Sequence, residues 1–410
     1  MSIPRLLQSQ FPHFLGKLIF IYGPRQVGKT FIITEYFKPD WHLNMDIAED
    51  RKIFREFPSR LKNWIETQVG LKKTISFKDR KVVFIDEVHK VKGWRNLLKG
   101  AFDQSGHLVQ LVASGSSAVQ LRKQDQGDSL AGRAAWLEMT PVTFREYVLS
   151  RMDIKLPPVW NFQKDLLSDH VRKVLPFQKE LRLHWENFSR FGSFPDNLVS
   201  QSQEFYSQWL KDYTQAMLER DLKDLHMARD VDRVHHVFEL LLEGVVTPYA
   251  IRSIAQALEV SPDTIKKDIR AIQTVMWGSD VETSHLSRSR QIRKEKKFYP
   301  SDWCFLDYVL PQAEGARFEC QVVNLFQRTT AKQCMGYYRD YEKREVDVVI
   351  RDRKNIYLAA EVKTKPASNH LSYFVRQFSP REAFLIVEAP GIFEKRDDYF
   401  VVSAELLAVL

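Results

Sequence analysis

LIFIYGPRQVGKTFIITEYF, residues Leu18 to Phe37, runs from an apolar strand through a glycine-bounded loop into a helical pattern. Its middle, Gly23-Pro24-Arg25-Gln26-Val27-Gly28-Lys29-Thr30, fits G-x-x-x-x-G-K-[ST] in the strand–loop–helix context that pattern requires. The chemistry behind the spacing is specific. Glycines let a backbone wrap closely around phosphates, and a helix N-terminus offers unpaired N–H groups with a positive dipole. Lys29 is placed to reach the β- and γ-phosphates of a nucleotide, and Thr30 to ligate Mg²⁺. ATP and Mg²⁺ are the cofactors this loop predicts.

Working outward, KVVFIDE (Lys81–Glu87) supplies the complement. Val82 to Ile85 read as a central buried strand, and Asp86 emerges at its C-terminal end, where ligands bind in open α/β sheets. Asp86 is expected to hold Mg²⁺ with Thr30, and Glu87 to polarise an attacking water. LVQLVASGS (Leu108–Ser116) is another strand, and its end places Ser114 and Ser116 where a γ-phosphate would be sensed. Arg133, in SLAGRAAWLEM, is a candidate arginine finger acting in a neighbouring subunit, which would require a homo-oligomer. The alternatives are a Ser/Gly turn and a surface arginine.

The first 150 residues alternate β-branched runs with helical patterns, as in an α/β layer with a parallel sheet. The 410 residues exceed one ordinary domain. No apolar run is long enough to span a membrane, and the N-terminal segment lacks a signal peptide's apolar stretch and cleavage site. Only Cys304, Cys320 and Cys334 are present, and no Cys/His spacing points to zinc. These features predict a reducing, cytoplasmic setting. The formal net charge of +9 favours a polyanionic partner such as DNA.

The ordered set GPRQVGKT, VVFIDEVHK, LVASGSSA and LAGRAAWLEMTPVTFREY resembles the AAA-type ATPases of bacteria and archaea that carry a C-terminal domain of uncharacterised function. RFGSFPDNLV, LKDYTQAMLERDLKDL, GARFECQVVNLF and EVDVVI…AAEVKTK extend the resemblance over nearly the whole chain. It implies an AAA-type fold with functional roles for Lys29, Thr30, Asp86, Glu87, Ser114 and Arg133. The chain departs mildly at Ala113-Ser114, where the family more often has Thr, and at Val142-Thr143, where it has Leu-Ser.

Tyr249 to Trp277 has the local grammar of a helix-turn-helix. Ile251, Ile254, Ala255 and Leu258 form one apolar face. Ser261 is an N-cap, Pro262 sits at the first helical position, and Val260 and Ile265 are spaced as a staple. Ile265, Ile269 and Ile272 face inward, leaving Lys266, Lys267 and Arg270 outside, where a recognition helix meets DNA. The connector after it adds Arg288, Arg290, Arg293, Lys294, Lys296 and Lys297 as candidate phosphate contacts. A winged helix used only for packing is the alternative.

Arg344 to Lys365 reads as a β-hairpin with Asp347 on one strand and Glu361 and Lys363 on the next. This pattern resembles the restriction-endonuclease-like (PD-(D/E)xK) superfamily, in which carboxylates hold Mg²⁺ beside a phosphate and the lysine orients water. Glu319 and Gln377, in flanking helices, would complete such a site. A fold of this kind can persist without cleavage. His235-His236 reads as a helix end and His89, which follows the Asp-Glu pair, as a loop residue, with a group supporting that pair as the alternative, while Trp94, Trp209 and Trp277 read as core.

The chain thus predicts an AAA-type P-loop ATPase core (1–150), a helical lid (151–230), a winged-helix-like module (231–286) and a restriction-endonuclease-like α/β domain (287–410). The expected function is Mg²⁺-dependent ATP hydrolysis coupled to DNA. A slow nucleotide switch and an ATP-regulated nuclease are the alternatives.

Overall fold

Strand β1 (Leu18–Tyr22) is buried at every position. Its alternate side chains enter two separate cores, as expected of a parallel strand covered on both faces. Ile19 and Ile21 join one core, and Leu18, Phe20 and Tyr22 the other. In the computed structural model, the described residues are 3–68, 79–105, 108–116, 130–222, 230–284, 295–330, 334–364 and 370–409. Five parallel strands form the first sheet: β1, β2 (Trp41–Asn44), β3 (Lys81–Asp86), β4 (Val109–Gly115) and β5 (Ala134–Glu138). Their order is β2-β3-β4-β1-β5, so β4 rather than β3 is central.

Helix α1 (Lys29–Phe37) lies on one face through Ile32 and Ile33. Helices α2 (Ala48–Arg55), α3 (Phe57–Gln68) and α4 (Trp94–Ser105) cover the other through Phe54, Phe57, Leu61, Trp94 and Leu98. The switch of strand order between β1 and β4 places the C-terminal ends of β1, β3 and β4 around one crevice.

A helical segment follows: α5 (Phe144–Arg151), α6 (Leu167–Val174), α7 (Gln178–Phe191), α8 (Pro195–Ser200) and α9 (Gln203–Ala216). Helix α9 passes into a wider π-helical turn at Met217–Leu222. Three further helices, α10 (Val231–Glu243), α11 (Ile251–Ala257) and α12 (Pro262–Thr274), precede an antiparallel hairpin of β6 (Gly278–Glu282) and β7 (Lys296–Pro300). Ser261 caps α12 by accepting from the Thr264 N–H at 3.1 Å. The expected domain boundary after 286 falls between the paired strands β6 and β7.

The C-terminal part runs α13 (Glu314–Thr329), β8 (Met335–Arg339), β9 (Glu345–Arg351), β10 (Ile356–Lys363), α14 (Leu371–Phe378) and β11 (Glu382–Val387), then β12 (Phe393–Lys395) and β13 (Phe400–Ser403). These strands form a mixed sheet in the order β12-β13-β11-β10-β9-β8. Strands β9 and β10 pair antiparallel, as the hairpin pattern predicts. Both faces of β10 are covered: Leu358 and Ala360 pack into the main core, and Ala359 packs against Leu371 and Phe374 of α14. Among the described residues, no helix is long and apolar enough to cross a membrane.

Candidate nucleotide site

Gly28 has φ +93°, the left-handed conformation glycine adopts without strain, and α1 begins at the next residue. At Gly23 a Cβ would lie 2.0 Å from the Met139 carbonyl oxygen, so only glycine lets the loop leave β1 against the end of β5. Lys29 is buried, and its ammonium donates to the Gly23 and Pro24 carbonyls at 3.0 and 2.8 Å. Burial pulls its pKa below the ordinary lysine value, opposed by the nearby carboxylates Glu87 and Asp86. The Thr30 hydroxyl donates to Asp86 Oδ2 at 2.8 Å. Motif lysine, motif threonine and strand-end aspartate thus converge in one place.

Residues 16–148 match the family model described as "AAA domain".

Two family models for domains of unknown function match later stretches, DUF8612 over residues 182–314 and DUF4143 over 314–407. The Methanocaldococcus jannaschii protein "Uncharacterized protein MJ1637" is 26% identical over 266 residues, 61% of this chain and 53% of that one. "Uncharacterized protein MJ1544" of the same organism is 25% identical over 249 residues, 60% of this chain and 50% of that one. The chain therefore spans about half the length of these curated relatives. Similar solved structures include the Aeropyrum pernix ORC1 protein in complex with DNA, at 13% identity and TM-score 0.29, covering 75% of this chain and 91% of that one. The Thermotoga maritima RuvB Holliday junction branch migration motor matches at 13% identity and TM-score 0.27, covering 67% and 88%.

Within the matched residues 16–148, the Ser114 hydroxyl donates to Asp86 Oδ1, and the Glu87 N–H approaches both groups. Glu87 has φ +53°, a strained conformation for a side-chain-bearing residue, at the point where the chain leaves the C-terminal edge of the sheet. The reading of His89 as an ordinary loop histidine is corrected. The 3₁₀ turn Val88–Lys90 brings it into the site. Its Nδ1 lies 3.3 Å from Glu87 Oε2, and its Nε2 3.4 Å from the Ser116 hydroxyl. The Nδ1–Oε2 approach is misaligned, so neither atom has a hydrogen-bond partner among the described residues. Burial holds the imidazole below its ordinary pKa against the opposing pull of Glu87, which keeps it neutral near pH 7.

The loop is also gripped from outside residues 16–148. Arg25 makes a forked ion pair with Asp221 in the π-helical turn, at 3.0 and 2.5 Å. That pair raises the Arg25 pKa. Trp209 of α9 donates from its indole N–H to Gln26 Oε1 at 2.7 Å. Trp209 is core, as expected, but with its polar edge committed to the loop. From the N-terminal side, Arg5 donates to the Val27 carbonyl at 2.7 Å and pairs with Glu146 at 3.2 Å. Local spacing gives no sign of Arg5 or Asp221, because each reaches the site through the fold, and His89 is signalled only by its place after the Asp-Glu pair.

Arg133 stands apart. Its carbonyl accepts from the Leu18 N–H at the start of β1, the opposite end of the sheet from Gly23, and its side chain pairs with Asp103 at 2.7 Å. It does not reach the nucleotide site of its own chain. Lys266, Lys267 and Arg270 are exposed on α12, with Lys266 paired to Asp263. Arg288, Arg290, Arg293 and Lys294 lie outside the described residues.

The other two connector lysines are corrected. Lys296 pairs with Asp280 at 3.0 Å, and Lys297 is wholly buried, because β7 is a paired strand and not a solvated tail. Glu319, Asp347 and Glu361 gather at the C-terminal sheet, with Lys363 at 3.2 Å from Glu361. Gln377 is exposed on α14.

Proposed function

We propose that the chain is a Mg²⁺-dependent ATPase whose AAA domain drives a DNA-engaging module. The observation that carries this reading is the convergence of Lys29, Thr30, Asp86, Ser114 and Glu87 at the C-terminal edge of one parallel sheet. The donor set fits the implied ligands. A hydroxyl and a carboxylate 2.8 Å apart suit an oxygen-seeking divalent cation, and a buried ammonium beside a helix N-terminus suits phosphate. Thr30 and Asp86 would hold Mg²⁺, whose contribution is to neutralise phosphate charge.

Lys29 exchanges two backbone carbonyls for phosphate oxygens. Glu87, with Oε2 still without a hydrogen-bond partner among the described residues, orients water and accepts its proton. Ser114 fixes the Asp86 carboxylate, and Ser116 reaches Glu87 through His89. Arg133 acts, on this reading, in a neighbouring copy of a homo-oligomer.

Three helices followed by a two-stranded hairpin support reading residues 231–300 as a winged-helix-like module. Its exposed Lys266, Lys267 and Arg270 are the proposed DNA contacts, with Arg288 and Arg290. A cleft of about 410 Å³ between Tyr22, Pro24 and Glu138 on one side and Gln273, Met276 and Ser279 on the other joins the nucleotide loop to this module. The run α13–β8–β9–β10–α14–β11, with Glu319, Asp347, Glu361 and Lys363 upon it, supports a restriction-endonuclease-like fold.

A slow nucleotide switch is the second reading, favoured by the clamp of Arg25 on Asp221 and Trp209 on Gln26. ATP turnover with Mg²⁺, measured without DNA and with single-stranded, duplex and branched DNA, separates the two. Turnover that rises with one DNA form and vanishes in Lys29→Ala supports the coupled ATPase. Binding with negligible turnover, indifferent to every DNA, supports the switch.

A further inference from the structure

Two of the carboxylates that would hold a metal in a restriction-endonuclease-like site, Glu319 and Asp347, already face a cation. Lys297 enters from β7, has no exposed side-chain surface, and places its ammonium 2.5 Å from Glu345, 3.3 Å from Glu319 and 3.7 Å from Asp347. The face of Tyr337 lies 5.1 Å away on another side. The Tyr299 hydroxyl donates to the same Glu319 oxygen at 2.6 Å.

The oxygens of Asp347 and Glu361 that face away from Lys297 are also committed. Asp347 Oδ2 accepts from the Val362 N–H at 2.8 Å. Glu361 Oε2 accepts from the N–H groups of His370 and Leu371 at 2.9 and 3.1 Å, at the start of α14, while Oε1 faces Lys363. Among the described residues, no group of three or more His, Cys, Asp and Glu side chains is arranged to hold a metal ion.

We infer that the Lys297 ammonium is the resident cation of this cluster, so that the C-terminal domain binds no divalent metal there and does not cut nucleic acid. The inference rests on the restriction-endonuclease-like reading only for where a metal would stand. It stands apart from the ATPase reading.

A buried lysine needs paired carboxylates, and these buried carboxylates need a cation. Three acids around one ammonium satisfy both requirements without Mg²⁺. Lys297 is not a removable plug. Its neighbours Phe298 and Tyr299 are buried in the main core, and the Lys296 carbonyl accepts from the Tyr249 N–H. The same lysine therefore fastens the β6–β7 hairpin to the C-terminal sheet.

The test uses Mn²⁺ alone, without nucleotide, followed by electron paramagnetic resonance and by thermal unfolding of the full chain. Wild type and Asp347→Asn are expected to take up the same amount of Mn²⁺. Lys297→Met is expected to unfold several degrees lower without metal, to gain one Mn²⁺ per chain bound about tenfold or more tightly than anything at the cluster in wild type, and to recover stability with it. Adding Asp347→Asn to Lys297→Met is expected to abolish that gain.

Wild-type Mn²⁺ uptake that disappears in Asp347→Asn overturns the inference, and this pair decides even if Lys297→Met fails to fold. A folded Lys297→Met that neither loses stability nor takes up Mn²⁺ overturns it too. DNA cleavage by wild type, lost in Asp347→Asn, would overturn the inference while strengthening the fold reading.

Discussion

Glu87 and His89 are two residues apart, yet only a left-handed backbone at the first and a 3₁₀ turn at the second make them face each other. A neutral His89 next to the Glu87 carboxylate limits where that carboxylate can point, with Ser116 fixing the ring from its far side. His89→Ala is expected to lower kcat by about 10- to 100-fold, a part of what a positioned base contributes. ATP affinity should remain near wild type, and His89→Gln should recover part of the loss. Steady-state kinetics with a nucleotide-binding measurement checks this; an equal loss of affinity and kcat would make His89 merely structural. Glu87→Gln is expected to remove turnover and keep binding.

Lys29, Thr30 and Asp86 are legible in the sequence because a loop motif and a strand end are local patterns. His89 is legible only as an alternative, from its place after the Asp-Glu pair, because nothing in its spacing reports the φ of Glu87. Lys297 misleads for a related reason: a lysine in a basic run signals solvent, and only pairing with β6 and three distant acids makes its burial tolerable.

At the scale of elements, α9 and its π-helical turn clasp the glycine-bounded loop at Arg25 and Gln26. A π turn displaces the following side chains relative to an α-helix, and here Asp221 meets Arg25 in a forked pair that is largely shielded from solvent. Charge-assisted pairs of this kind contribute more than surface ones. A double-mutant cycle of Arg25→Ala and Asp221→Ala is expected to give a coupling of about 1–3 kcal/mol in urea unfolding. If the clasp also restrains the loop, Asp221→Asn should change nucleotide association and dissociation rates together, read by stopped-flow fluorescence.

Helix α12 is legible down to its cap, since Ser261, Pro262 and the inward isoleucines are a complete local signal. What that signal does not contain is a partner. If α12 meets phosphates, replacing Lys266, Lys267 and Arg270 with Ala should flatten the salt dependence of DNA binding. The slope should fall by about 0.9 for each phosphate no longer neutralised, measured by fluorescence anisotropy. An unchanged slope would leave α12 a packing helix.

Across the whole molecule, remote segments are fastened by buried polar contacts. Arg328 on α13 donates to the carbonyls of Val142 and Ser301 and to the Ser193 hydroxyl, at 3.2, 2.8 and 2.8 Å. Glu382 on β11 caps the start of α6 by accepting from the Leu167 and Ser168 N–H groups. Arg145 on α5 donates to the Val409 carbonyl at 2.8 Å. His170 joins the same fastening, its Nε2 3.4 Å from the Val409 carbonyl, and burial lowers its pKa to about 4.

The sign follows from the proton count. Between about 4 and the unfolded value near 6.5, the unfolded chain holds a proton on His170 that the folded chain lacks. Stability from this residue is therefore complete above the unfolded value and lost as pH falls toward 4, by up to about 3 kcal/mol. Urea unfolding at pH 7.5, 6 and 5 should show falling stability, and His170→Phe should flatten that fall. The C-terminal strands and the helical segment should lose structure together as the pH drops, because the acid-sensitive residue sits at their junction. Separate transitions for the two would mean that these contacts decorate the interface without coupling it.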